Sequence, residues 1–82
     1  MPEREPAHTI DVREIPKGQR HPLIIDTYED LGPGESMRLI VDHDPVPLRT
    51  QMARRFGDEL SWVYVEQGPP TWQVEVQRLT DD

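Results

Sequence analysis

At Asp42-His43-Asp44 two carboxylates flank one imidazole, directly ahead of Pro45-Val46-Pro47. Groups of these types can move a proton, ligate a cation or cap a helix. An apolar run from Met37 to Val41 stops at Asp42, and a helical pattern starts after Asp44. A strand end that feeds a helix N-terminus is where open α/β sheets hold ligands. Other residues able to take part are dispersed. Arg20 and His21 precede Pro22, Glu66 and Gln67 precede Gly68-Pro69-Pro70, and Trp72 lies just beyond. Whether they meet depends on the elements that carry them.

Periodicity supplies those elements. Residues 8 to 15 alternate, with Ile10 and Val12 opposite Asp11 and Arg13, and predict a first strand that Pro16-Lys17-Gly18 ends. The first helix is predicted from Pro22 to Leu31, with a stripe of Ile24, Tyr28 and Leu31 beside Leu23 and Thr27, and Gly32-Pro33-Gly34 stops it. Residues 37 to 42 form a second, central strand. Asp44 is expected to cap a second helix from Pro45 to about Phe56, with Leu48, Met52 and Phe56 on one side and Gly57 at its end. Residues 60 to 66 and 71 to 79 alternate as two strands of a hairpin around Gln67-Gly68-Pro69-Pro70.

The order is β-α-β-α-β-β. Right-handed crossovers would put both helices on one face of the sheet. The expected fold class is therefore an α/β (α+β) two-layer sandwich, one domain over residues 8–79, with residues 1–7 an arm and 80–82 a tail. No apolar run approaches the roughly 20 residues of a membrane span, and no apolar signal core opens the chain, so a cytoplasmic location is expected.

Composition narrows the chemistry. There is no cysteine, which removes disulfides, thiolate metal sites and sulfur nucleophiles. The formal charge of −7 argues against nucleic acid and against an anionic membrane surface.

Four segments, Arg20-His21-Pro22-Leu23, Gly32-Pro33-Gly34-Glu35, Asp42-His43-Asp44-Pro45-Val46-Pro47-Leu48 and Glu66-Gln67-Gly68-Pro69, resemble the bacterial family catalogued as domain of unknown function 2249 (DUF2249). The resemblance covers about Ile10 to Leu79. That family is similar in turn to sulfur carriers of the TusA/SirA type. The resemblance implies a mixed four-stranded sheet in order 1-2-4-3, with the last strand antiparallel to the others. It also suggests association with hemerythrin-like or cupin proteins. The sulfur carriers open their first helix with Cys-Pro-x-Pro; here the matching position is His21-Pro22, and Ile24 replaces the second proline. Persulfide transfer is not carried over.

With that topology the C-terminal ends of three strands share one edge, which would gather Arg20, His21, Asp42, His43, Asp44, Glu66 and Trp72 as ligand-binding residues. One reading is a metal site of His21, His43 and Glu66, with Asp42 or Asp44 beside it, for a divalent transition metal such as Zn, Fe, Mn, Ni or Cu. Another is a small anion or polar ligand held by Arg20 and the helix N-termini, which the carboxylates oppose. Catalysis is weaker, because no nucleophile accompanies His43. In strand 3 we expect Val63 and Val65 to face the helices and Trp62 and Tyr64 to lie on the open sheet face, a surface for a protein partner or homodimer. The expected function is a non-enzymatic module that binds a small ligand or metal ion. The alternative is an interaction domain that uses the open face.

Overall fold

The computed structural model describes residues 5–79; residues 1–4 of the expected arm and the whole expected tail, 80–82, lie outside the described residues. Strand β1 (His8–Asp11), helix α1 (Lys17–Glu29), β2 (Ser36–Val41), α2 (Val46–Phe56), β3 (Leu60–Glu66) and β4 (Trp72–Arg78) follow in sequence. The sheet order is β1-β2-β4-β3. β1 is parallel to β2, and β4 is antiparallel to both β2 and β3. This is the expected two-layer sandwich, in the strand order that the resemblance implied.

Two elements depart from expectation near the site. β1 ends at Asp11, and Val12–Glu14 coil into a 3-10 turn. The Asp11 carboxylate causes this by accepting the Arg13 backbone N–H at 3.2 Å and the Arg13 guanidinium at 2.8 and 2.7 Å. Helix α1 starts at Lys17 rather than Pro22, which lies inside it. The residues before Pro22 are polar, so no apolar stripe marks this opening turn. Arg20 and His21 therefore ride on a helix instead of a loop.

Both helices cover one sheet face. Ile24, Ile25 and Tyr28 of α1 and Leu48 and Met52 of α2 pack with Met37, Leu39, Val41, Val74 and Val76 in one buried cluster. The Tyr28 hydroxyl donates to the Glu59 carbonyl at 3.1 Å, which ties α1 to the turn before β3.

The phase of β3 is the reverse of the expected one. Trp62 pairs with Val76 and Tyr64 with Val74, and both aromatics pack against the core. Val63 and Val65 are 53% and 50% exposed. Two aromatic rings bring more apolar area under the helices than two valines do, so their burial wins. The open face carries a polar chain instead. Arg38 donates to Gln73 at 3.3 Å and to Glu75 at 3.0 Å, and Gln73 donates to Glu66 at 2.9 Å.

The β3–β4 hairpin closes tightly on Gly68. A Cβ there would stand 2.8 Å from both the Thr71 carbonyl oxygen and the Trp72 Nε1. Gly68→Ala is expected to cost roughly 1–3 kcal/mol, since backbone rather than a side-chain tip must shift. A urea melt that matches the parent within 0.5 kcal/mol, the ordinary scatter of surface substitutions, would contradict that crowding.

Candidate functional site

The 3-10 turn after β1, the first turns of α1, the end of β2 and the start of α2 enclose a recess of about 50 Å³. Its apolar wall is formed by Val12, Ile24, Val41, Pro45, Pro47 and Leu48, and Arg20, His21 and His43 supply the polar part. Lys17, Arg20, His21 and His43 also line a more open hollow of about 240 Å³. Three side chains are thus common to the recess and the hollow, and the imidazoles of residues 21 and 43 share one pocket.

Each of these groups is held from behind. Arg20 donates its Nε hydrogen to the Ile15 carbonyl at 2.8 Å, across the chain reversal that the 3-10 turn makes. Its two amino groups have no hydrogen-bond or ion-pair partner among the described residues. His21 reaches across to α2, with Nδ1 2.9 Å from the Gln51 Oε1. His43 Nδ1 lies 2.8 Å from the Asp42 Oδ1. A carboxylate and an amide oxygen only accept, so Nδ1 carries the hydrogen in both rings and Nε2 is the free nitrogen. The His43 hydrogen bond holds the Asp42 carboxyl below the usual carboxylate range, and the charge of Arg20 acts in the same direction.

Of the expected ligand-binding residues, Arg20, His21 and His43 line the recess. Asp42 supports His43 from outside it. Asp44 is not the helix cap it was expected to be, for α2 has no side-chain cap. Its carboxylate accepts the Tyr64 hydroxyl at 2.6 Å, and its carbonyl accepts the Val46 N–H at 2.8 Å. Burial first, and then the Asp44 bond, push the Tyr64 phenol above its ordinary value. Trp72 packs edge-on against Tyr64, with ring centres 6.3 Å apart, and belongs to the core margin.

Glu66 is the largest correction. A register shift between Tyr64 and Glu66 pairs Glu66 with Gln73, on the open face of the sheet. A regular strand would have kept it on the side of Trp62 and Tyr64, but the extra residue of a bulge reverses the alternation. The set of His21, His43 and Glu66 is therefore not assembled. Among the described residues no three His, Asp or Glu side chains are grouped to hold a metal ion.

Sequence reasoning missed Lys17, Gln51 and the apolar wall. The stripe positions Ile24 and Leu48 were legible as core, but nothing marked the gap between them as open. Gln51 follows once His21 is placed on a helix facing α2.

The family model described as "Uncharacterized conserved protein (DUF2249)" matches residues 9–78. The chain belongs to this family. The match spans every strand and both helices apart from His8, the first residue of β1, and it carries no activity with it. Neither the curated proteins nor the solved structures contain a match to the chain. In this DUF2249 protein, no helix among the described residues is long and apolar enough to cross a membrane.

Proposed function

We propose that this protein is a small-ligand-binding module whose site is the recess between α1, β2 and α2. The single observation that carries the reading is that His21 and His43, distant in sequence, line one pocket with Arg20 over an apolar wall. A few convergent polar groups over an apolar lining are the usual make-up of such sites. Every one of the three polar groups is also oriented by a further hydrogen bond. No hydroxyl or thiol is among the residues that line the recess, which favours binding over nucleophilic chemistry. The open sheet face carries Arg38 bonded to Gln73 and Glu75, with no recess lined by convergent polar groups among the described residues there.

The test is a titration of a mixed set of small charged and neutral fragments, followed by the ring resonances of His21 and His43. We expect saturable, concurrent shifts of both rings with at least one fragment, and their loss in Ile24→Phe, which fills the recess. Rings that ignore every fragment but respond together to Zn²⁺ would replace an organic ligand with a metal ion. Rings that respond to nothing would remove the site.

A further inference from the structure

The geometry points to a short-chain organic carboxylate as the ligand class, with its charged end on Arg20 and its hydrocarbon end in the recess. This rests on the small-ligand reading above and adds the chemistry of what binds.

The amino groups of Arg20 carry the first part of the argument. The guanidinium is fixed through Nε to Ile15 and lines both the inner recess and the outer hollow. Its remaining donors form a planar fork that matches a carboxylate with two parallel hydrogen bonds. Lys17 adds a second positive charge at the hollow.

The nearby acidic groups are turned elsewhere. Asp42 is bonded to His43, and Asp44 to Tyr64. No carboxylate is among the residues lining either space, so Arg20 and Lys17 outnumber the one neighbouring carboxylate, Asp42, although the chain carries a net charge of −7.

Size and polarity carry the second part. The recess holds about 50 Å³, room for roughly three to five water-sized centres at 10–15 Å³ each. Its apolar wall gives a bare inorganic oxyanion nothing to bind, and the negative chain disfavours a dianion. A cation would meet Arg20 and Lys17. A monoanion with a body of a few carbons fits both ends. Both imidazoles line the recess with Nδ1 engaged elsewhere, which leaves Nε2 as the nitrogen able to meet a hydroxyl or N–H on that body.

The experiment compares butyrate, butyramide, butylammonium and inorganic phosphate on the intact protein, reading the ring signals of His21 and His43 and the Arg20 Nε–H signal. Butyrate is expected to shift all three saturably and at least tenfold more tightly than the other probes. Arg20→Gln should weaken butyrate at least tenfold. Should that variant misfold, His43→Gln serves instead. Its side chain is 60% exposed, and its loss should weaken butyrate severalfold without disturbing the fold. Equal responses to butyramide or phosphate would overturn the carboxylate assignment and leave the pocket standing, as would butyrate binding that Arg20→Gln does not change. Silence from all four probes alongside a positive fragment would also sink the class alone. Silence from fragments as well would end both.

Discussion

Leu39→Ala is expected to lower the unfolding free energy by about 2–5 kcal/mol, the cost of deleting a fully enclosed leucine side chain. Leu39 is 0% exposed, in the middle of β2, where it pairs with Ile10 on one side and Val74 on the other. Both helices press on that face, so a shortened side chain leaves a cavity that neighbours from four elements would have to close. At about 0.05–0.15 kcal/mol per residue, a chain of this length has only about 4–12 kcal/mol in total. The variant should therefore be partly unfolded at ambient temperature or melt at far lower urea. Trp62 and Trp72 both pack against the core, so indole fluorescence reports the transition. A loss under 1 kcal/mol would mean that the sheet and helices are not packed as described.

The legible part of the sequence was the part set by apolar area. The stripes of α1 and α2 and the alternation of β4 pointed to the core because each had only one consistent way to face inward. β3 did not. Its residues are apolar on both sides, Trp62 and Tyr64 against Val63 and Val65, and a period of two has two phases. Only the competition for the space under the helices decides between them.

The site was less legible, for reasons that are local and physical. The opening turn of α1 is polar, so Pro22 stood out as a helix start although it lies inside the helix. The consequence for His21 is large, since a ring on a helix can meet Gln51 of α2. Glu66 depended on a bulge, which is a property of strand pairing with β4 and has no signature in Tyr64-Val65-Glu66 alone. Asp44 had two partners within reach, the N–H groups of α2 and the phenol of Tyr64. Pro45 and Pro47 have no N–H to offer, and the Val46 N–H goes to the Asp44 carbonyl. The helix start therefore gives the carboxylate little to accept, and the phenol takes it.

That choice gives the second large effect. Asp44→Ala is expected to cost about 1.5–3 kcal/mol, because a charge-assisted hydrogen bond joining the connection ahead of α2 to β3 is lost and the Tyr64 hydroxyl is left half-buried without it. Tyr64→Phe should cost less, since the freed carboxylate can turn to water, and the double variant should cost less than the sum of the two. The pH dependence has a definite sign. The folded-state pKa of Tyr64 is raised above its ordinary 10.0 by burial and by Asp44, and that of Tyr28 by burial and by Glu59. Folding therefore favours the protonated phenols. Their contribution is fully present below pH 10.0 and is lost as the pH rises through the higher folded values. Urea midpoints measured across that alkaline range should fall for the parent and fall less for Tyr64→Phe; parallel curves would show that folding does not hold the Tyr64 phenol protonated.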